Sequence, residues 1–363
     1  MTDRKSKTKI RVMVVDDSAF MRTALSRMIE SDDELEVVAC AIDGKHAIEI
    51  VDQVNPDVVT MDIEMPRMNG LEALKRIMST VPRPVIMISS LTQEGAMMTF
   101  EALDCGAFDY IPKQLSYVSL DIVKIRQDLV TKIKAAATQR RTLREKRSIA
   151  SIAYKSPATR SASATGVFPI PSAICIGTST GGPKALQQIL PLLPPDLPAG
   201  IVIVQHMPPG FTGPFAARLN RLCQIKVKEA EQDDFVEAGL VLIAPAGWHA
   251  SLYRRTHSRH AIKLSKTPTG TLHIPSVDVL MLSAAEVLRP LAMGVILTGM
   301  GNDGEAGIKA IHDAGGQTIG QDEATCIVYG MPRACALAGT LTKVSPLLKI
   351  PEEIVAAARP CRV

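Results

Sequence analysis

The chain has 363 residues, enough for about two domains, and 46% of them are hydrophobic, so each domain can bury a core of ordinary size. Only 4% of the residues are aromatic, which argues against stacking platforms for single-stranded nucleic acid. The net charge is a mild +4. The seven cysteines form no C-x-x-C pair, and no apolar leader is found, which predicts a cytoplasmic protein. No apolar run reaches the ~18–20 residues of a membrane span, so no insertion into a membrane is expected.

The first part of the chain, residues 10–125, alternates short apolar runs with helical patterns. A helix is predicted over residues 18–30, and strands are predicted over residues 10–15, 57–61, 84–88 and 107–111. This βαβ alternation predicts an open, doubly wound parallel sheet. In such sheets, functional residues collect at the carboxyl ends of the strands.

Charged residues follow three of these predicted strands. Asp16 and Asp17 follow the strand over residues 10–15, Asp62 follows the strand over 57–61, and Lys113 follows the strand over 107–111. Three carboxylates at one sheet edge need a cation, and oxygen ligands suit Mg²⁺. A carboxylate beside a metal and a lysine is a candidate phosphoryl acceptor, because both cations offset the charge on the transferred group.

The strings V-V-D-D-S, M-D-I-E-M-P-R-M-N-G, I-S-S and Y-I-P-K resemble the receiver domain of two-component response regulators. The resemblance implies a flavodoxin-like fold over residues 10–125. It implies that Asp62 is phosphorylated and that Mg²⁺ is held by Asp16, Asp17 and Asp62, together with the backbone carbonyl of Glu64.

The same resemblance assigns three further receiver residues. Ser89 and Lys113 match the positions that contact the phosphoryl oxygens, and Tyr110 matches the switch aromatic. One departure concerns the residue after the lysine, where receivers usually have proline. Here Gln114 follows Lys113 and Pro112 precedes it.

The basic charge of the chain is concentrated in its middle. Residues 121–165 contain 11 Lys/Arg and 3 Asp/Glu, which leaves the rest of the chain with a net charge of −4. Residues 126–147 predict an exposed helix, and the small polar residues after them have no apolar period. We interpret residues 126–168 as a basic, flexible linker that could set how the domains dock. Attraction to an acidic partner surface is an alternative explanation of its charge.

Residues 169–352 predict a second doubly wound α/β domain, with strands over 173–176, 201–205, 241–244, 294–298 and 318–320. Ser179 lies in a Gly-x-Ser-x-Gly turn between a strand and a helix, His206 follows the second strand, and Asp303 follows a later one. A serine hydroxyl becomes a nucleophile when a histidine takes its proton and an aspartate orients that histidine. Backbone N–H groups near Met300 and after Ser179 are candidate oxyanion donors.

The strings G-T-S-T-G-G-P, V-Q-H-M-P, A-P-A-G, L-T-G-M-G-N-D-G and Q-D-E-A-T-C-I-V-Y-G-M-P resemble the catalytic domain of the chemotaxis protein-glutamate methylesterases. The resemblance implies a Rossmann-like methylesterase domain with Ser179, His206 and Asp303 as its triad. Thr180 and Met300 match positions that flank the site. Thr178 is a departure, since the family usually has Ala there.

Together, the two resemblances imply an enzyme that is activated by phosphorylation. Its substrates would be the γ-methyl esters of glutamates on methyl-accepting chemotaxis receptors, and receptor glutamines for deamidation. Its phosphodonor would be a chemotaxis histidine kinase. Mg²⁺ is expected in the receiver and no cofactor in the catalytic domain.

Two alternatives come from other functional classes. A receiver could be joined to a non-catalytic anion- or protein-binding output domain that uses Gly177–Gly182. A DNA-binding regulator would need a basic helix-turn-helix after the linker, which the sequence lacks, so no nucleic-acid partner is expected.

Overall fold

The structure, a computed structural model, describes residues 8–113, 120–149, 168–256 and 259–359. The chain divides into two compact units, Met1–Pro157 and Ala158–Val363. Each unit is built around its own parallel sheet.

The first unit alternates strands and helices along the chain. Its elements are β1 (Ile10–Val15), α1 (Ala19–Glu30), β2 (Leu35–Ala41), α2 (Gly44–Val54), β3 (Val58–Asp62), α3 (Gly70–Thr80), β4 (Val85–Ser89), α4 (Gln93–Asp104), β5 (Asp109–Pro112) and α5 (Leu120–Ile149). The strands pair in parallel in the order β2-β1-β3-β4-β5, so the predicted parallel sheet is confirmed.

Local sequence explains where these elements begin. All five residues of β3 and of β4 are buried, as expected for central strands covered by helices on both faces. Polar side chains cap the helices. Ser18, for example, directly precedes α1, and its Oγ accepts from the N–H of Met21 in the first turn. Gly70 begins α3 so close to β3 that a Cβ there would lie 1.9 Å from the Asp62 carbonyl oxygen. Only glycine therefore fits at position 70.

Helix α5 differs from the sequence prediction, which placed an exposed helix over residues 126–147 at the start of a flexible linker. The described helix runs to Ile149, and one stripe of it, including Leu129 and Ile133, is fully buried. Lys132 is also buried, and its Nζ donates to the Tyr110 carbonyl at 2.8 Å. The prediction was wrong because a few apolar residues at helical spacing suffice to dock a helix that is polar on average. Residues 150–167 of the predicted linker lie outside the described residues.

Arg140 also belongs to the first unit. Its guanidinium forms an ion pair with Asp57 at 3.3 Å and hydrogen-bonds the carbonyl of Pro56. The charge of this arginine is therefore already paired within its own unit.

The second unit contains a larger sheet. Its elements are β6 (Ala173–Thr178), α6 (Gly182–Ile189), β7 (Gly200–Gln205), α7 (Thr212–Leu222), β8 (Lys226–Glu229), β9 (Leu240–Ile243), β10 (His249–Arg254), β11 (His260–Ser265), α8 (Val277–Leu288), β12 (Ala292–Ile296), α9 (Glu305–Asp313), β13 (Gln317–Gln321), α10 (Met331–Leu337), β14 (Lys343–Ser345) and α11 (Ile350–Ala358). Short 3₁₀ turns follow α6 and α8 and precede α11.

The seven strands of this sheet are parallel, in the order β14-β13-β12-β6-β7-β9-β8, and β10 and β11 form a separate antiparallel hairpin. The chain leaves β6 toward β7 and later returns to β12 on the other side of β6. Strand order therefore reverses at β6, and such a switch point opens a crevice at the carboxyl ends of the strands. The predicted second doubly wound domain is confirmed.

No helix in the described parts of the chain is both long and apolar enough to cross a membrane.

The ion pairs of α5 provide a stability test. Lys132→Met is expected to lower the unfolding free energy of the first unit by about 3 kcal/mol, because Asp109, 3% exposed, loses an ammonium 3.5 Å from its carboxylate. Lys134→Met is the matched control on the same helix, because its partners Asp32 and Glu34 are partly solvated, and it should cost about 1 kcal/mol or less. Urea dependence of amide hydrogen exchange in β5 measures both, and equal effects would contradict the prediction.

Candidate functional site

The turn after β6 presents Ser179 at the switch point of the second sheet. Gly181 has φ +77°, a left-handed conformation that favours glycine, and α6 begins at the next residue. The Ser179 N–H and the Thr178 hydroxyl both donate to the Thr298 carbonyl, at 3.1 and 2.9 Å. Thr178 thus adds a hydrogen bond that an alanine could not make. Ser179 itself is partly exposed.

His206 and Asp303 are brought together from strand ends that flank β6. His206 directly follows β7, and Asp303 lies in the loop between β12 and α9. His206 Nε2 is 2.8 Å from Asp303 Oδ2, with the two side chains 6% and 14% exposed. The predicted histidine and aspartate therefore form a largely buried pair.

The Asp303 carboxylate lies at the amino end of α8. It accepts hydrogen bonds from the Val277 N–H at 2.8 Å, from the Asp278 N–H at 3.0 Å and from the Ser276 hydroxyl at 2.8 Å. Burial raises the pKa of Asp303, but the bond and charge of His206 and the helix N–H groups outweigh it, so the pKa lies below its usual value. Asp303 is consequently an anion throughout the neutral range.

Asp278, in the first turn of α8, makes the reciprocal contact with α9. Its Oδ1 accepts from the N–H groups of Gly304 and Gly307, at 2.9 and 2.8 Å. Burial and the nearby charge of Asp303 raise the pKa of Asp278. Asp303, just before α9, therefore accepts at the amino end of α8, and Asp278, in the first turn of α8, accepts at the amino end of α9. This exchange fixes the loop that carries Asp303.

The remaining ring nitrogen of His206 is free for chemistry. Nδ1 is buried and has no hydrogen-bond partner among the described residues. It is therefore not hydrogen-bonded to the Oγ of Ser179, which is also a described residue. The ring of His273 stacks on that of His206, with centroids 4.0 Å apart and an interplanar angle of 18°. The stacking and the bond to Asp303 together fix the plane of the catalytic imidazole candidate.

The loop after β12 closes the other side of Ser179. A Cβ at Gly299 would lie 3.0 Å from Ser179 Cβ, so the glycine lets this loop reach the serine. The Gly299 carbonyl accepts from the N–H groups of Gly330 and Met331, both at 3.0 Å. Met300 is partly exposed next to this anchored residue, and Thr180 is 4% exposed. Thr180 follows the serine in the chain, and Met300 follows the glycine that approaches it.

Several residues around the site were not found from the sequence. Ser276 and Asp278 begin α8 as a Ser-x-Asp pattern, which is typical of a capped helix and does not indicate a contact with Asp303. His273 has no local pattern that indicates its stacking on His206. Gln205 was noted only within the V-Q-H-M-P string. Their roles depend on contacts with distant segments, which no local pattern encodes.

In the first unit, Lys113 joins two of the three predicted carboxylates. Its Nζ lies 2.5 Å from Asp62 Oδ2 and 3.3 Å from Asp16 Oδ2. Burial, reinforced by the charge of Asp16, raises the pKa of Asp62 to about 6 against the opposing effect of Lys113. Burial lowers the pKa of Lys113, but its two carboxylate partners outweigh this effect and raise it. Gln114, the departure from the receiver pattern, lies outside the described residues.

The acidic cluster fits Mg²⁺. Asp16, Asp17 and Asp62 each offer a carboxylate oxygen, and these atoms lie within 4.8 Å of one another. Asp16 Oδ2 is buried without a hydrogen-bond partner, although Lys113 is close by. An unsatisfied buried carboxylate oxygen among other carboxylates suits a hard cation with oxygen ligands.

The other receiver residues lie around this cluster in different ways. The Glu64 N–H is 3.4 Å from Asp62 Oδ1, which places that backbone beside the carboxylate. Ser89 is fully buried. Its hydroxyl donates to the Gly95 carbonyl at 3.2 Å and accepts from the Thr99 hydroxyl at 2.7 Å, so it is directed toward α4. Tyr110 is 4% exposed, and burial raises its pKa. The tyrosine is thus in a buried position.

The raised pKa of Asp62 predicts a pH effect on Mg²⁺ binding. Because the protonated form persists up to about pH 6, the carboxylate becomes available as pH rises, and the dissociation constant should be about fourfold larger at pH 5.5 than at pH 7.5. Calorimetric titration with MgCl₂ measures this change. Asp62→Asn, which cannot ionise, is the control and should bind weakly without that pH step. A pH-independent constant for the native protein would contradict the prediction.

Comparisons with known families agree with both units. Residues 174–354 match the family model described as CheB methylesterase, and residues 12–122 match the response regulator receiver domain. The chain is similar to the crystal structure of the Thermotoga maritima CheB methylesterase catalytic domain, with 40% identity and a TM-score of 0.50, covering 52% of this chain and 99% of that one.

Two relatives are similar to the chain over most of its length. The chain is 48% identical over 353 residues to protein-glutamate methylesterase/protein-glutamine glutaminase 1 of Oleidesulfovibrio alaskensis, covering 92% of this chain and 95% of the relative. It is 48% identical over 349 residues to the protein-glutamate methylesterase/protein-glutamine glutaminase of Pyrococcus horikoshii, covering 96% and 94%. The chain therefore belongs to the CheB family of protein-glutamate methylesterases/protein-glutamine glutaminases that carry a response regulator receiver domain.

Proposed function

We propose that the chain hydrolyses glutamate γ-methyl esters on methyl-accepting chemotaxis receptors and deamidates receptor glutamines. The observation that carries this proposal is the His206–Asp303 pair beside Ser179 at the switch point of the second sheet. The names of relatives 48% identical over most of the chain support the substrate class. Six described cysteines are free thiols, which fits the reducing cytoplasm.

The tautomer of neutral His206 follows from its partner. An ionised Asp303 only accepts hydrogen bonds, so in the neutral imidazole Nε2 carries the proton and Nδ1 has the lone pair. We therefore assign Nδ1 as the general base for Ser179. The hydrogen bond between them is expected to form with ester bound, since such bonds are often long in a free enzyme.

The reaction we propose has two halves. Ser179 Oγ attacks the ester carbonyl while His206 Nδ1 takes its proton, and the same proton then goes to the departing methoxide, which leaves as methanol. Water attacks the resulting acyl-enzyme, gives a proton to Nδ1 and restores Ser179 as the glutamate carboxylate leaves. For a glutamine substrate, the first leaving group is ammonia.

The oxyanion of each tetrahedral intermediate needs donors beside Ser179. The backbone N–H groups of Met300 and Thr180 make no hydrogen bond within the described residues, and both residues flank the serine. We assign these N–H groups as the donors. Because backbone donors are fixed before reaction, they stabilise developing charge without reorganisation.

We propose that the receiver controls this activity. Asp62 is the phosphoryl acceptor for a chemotaxis histidine kinase, and Asp16, Asp17, Asp62 and the Glu64 carbonyl hold Mg²⁺. When bound, the cation would offset charge on the transferred phosphoryl group. Lys113 already pairs with Asp62 and is placed to bind a phosphoryl oxygen.

Phosphorylation adds roughly −1.5 to −2 charge at the Asp62 edge. We expect the Ser89 hydroxyl to exchange the Gly95 carbonyl for a phosphoryl oxygen, and the packing around Tyr110 to change with it. The unphosphorylated receiver is proposed to inhibit the esterase.

The first test measures methanol release from methyl-esterified receptor membranes, with and without a small phosphodonor and Mg²⁺. The native protein should release methanol faster with the phosphodonor, and Ser179→Ala should fall to background because the nucleophile is missing. Asp62→Asn is the control for coupling and should ignore the phosphodonor. An output retained by Ser179→Ala would favour the non-catalytic binding domain instead.

Asp303→Asn tests the assignment of the base. The asparagine amide can donate to Nε2, which moves the ring proton to Nδ1 and removes the base that faces Ser179. The value of kcat is expected to fall by about 10³–10⁴, with KM little changed. Asp278→Asn is a comparison variant at the same helix pair, and it should lose much less activity. Methanol release measures both, and equal losses would contradict the tautomer argument.

A further inference from the structure

Gln205 lies between the proposed nucleophile and base and is 1% exposed. It is the last residue of β7, directly before His206. Its side-chain Nε2 donates to the Ser179 carbonyl at 2.9 Å and to the His206 carbonyl at 3.1 Å. One buried amide group therefore hydrogen-bonds the backbones of both residues.

The orientation of this amide is fixed by its acceptors. Both partners are carbonyl oxygens, so only the NH₂ end can face them. The other end, Oε1, is buried and has no hydrogen-bond partner in the described residues. A buried acceptor without a donor costs folding free energy, which an apolar side chain of the same length would avoid. This cost offsets the two bonds that the amide donates, so stability alone gives little reason for glutamine at this position.

Neighbouring residues leave room for the amide. A Cβ at Gly182 would lie 2.1 Å from Gln205 Oε1 and 2.3 Å from Thr178 Oγ1, so a larger residue at 182 would displace the glutamine. The Gly182 N–H also donates to the Ser179 carbonyl at 2.8 Å. The turn is thus shaped around the Gln205 side chain.

We propose that Gln205 is a positioning residue that sets the distance between Ser179 and His206. A backbone link already exists nearby, because the His206 N–H donates to the Thr178 carbonyl at 3.1 Å. The amide adds two further bonds, one to the Ser179 carbonyl and one to the His206 carbonyl. Asp303 and His273 fix the imidazole ring, whereas Gln205 fixes the backbones that carry ring and hydroxyl. The inference rests on the catalytic roles under the proposed function.

The consequence is a loss of rate without a loss of stability. Gln205→Met keeps the length of the side chain and removes both donors and the unpaired acceptor. We expect kcat for methanol release to fall about 10- to 100-fold, because small displacements of reacting groups are costly. KM should stay within about twofold, and the melting temperature should change little, because removal of the unpaired acceptor offsets the loss of the two donated bonds. Gln205→Glu, which places a carboxylate against two carbonyl oxygens, is the second variant and should lose at least as much activity.

Gln321→Met is the matched control, since Gln321 is another fully buried glutamine at a strand end. Its Oε1 accepts from the Thr298 N–H at 2.8 Å, so the substitution leaves a buried donor unpaired. This variant should therefore lower the melting temperature. A melting temperature for Gln205→Met that falls as far as that of Gln321→Met would overturn the positioning role.

Reaction with a fluorophosphonate ester separates the inference from the proposed function, because it reports Ser179 reactivity without receptor. The full-length native protein should be labelled at Ser179, and Gln205→Met should react more slowly by the factor seen in kcat. Equal labelling rates with unchanged kcat would overturn the role of Gln205 alone. No labelling of Ser179 in the native protein would overturn the proposed function and the inference with it.

Discussion

The carboxylate of Asp303 accepts four hydrogen bonds, and through them it joins His206, the beginning of α8 and the loop after β12. Because His206 and two N–H groups at a helix amino end donate to it, the pKa of the carboxylate is lowered despite its burial, and it remains an anion. An anion at this place determines which nitrogen of His206 carries the proton. The loop that holds Met300 depends on the same anchor, since Asp278 fixes its far end at Gly304.

Asp62, also an aspartate at the carboxyl edge of a parallel sheet, has a raised pKa where Asp303 has a lowered one. Its side chain is 2% exposed, against 14% for Asp303, and it lies beside another carboxylate, Asp16, instead of a row of N–H donors. Its pKa is raised to about 6, whereas that of Asp303 is lowered. The same side chain is therefore a fixed anion in one unit and a group that needs a cation in the other. The surroundings at each strand end decide which chemistry the carboxylate can support.

Local pattern was sufficient for the central strands of both sheets. Apolar runs predicted strands such as β1 and β7, because a strand buried on both faces is apolar at nearly every position. The edge strand β8, with sequence K-V-K-E, and the three-residue β14 were missed because half-exposed strands lack that signal. Helix α5 was predicted as exposed because its average polarity hides the narrow stripe that docks on the first sheet.

The sequence by itself determined that two parallel α/β units follow one another, and that an acidic cluster and a serine, a histidine and an aspartate lie at strand ends. These features are local, since apolar runs and glycine turns are written in consecutive residues. Only the tertiary structure decided that Asp303 meets His206 through Nε2, that the start of α8 holds this carboxylate, and that Gln205 bonds both Ser179 and His206. The physical reason is separation along the chain: His206 and Asp303 are 97 residues apart, and their geometry exists only once β7 and β12 pack on either side of β6.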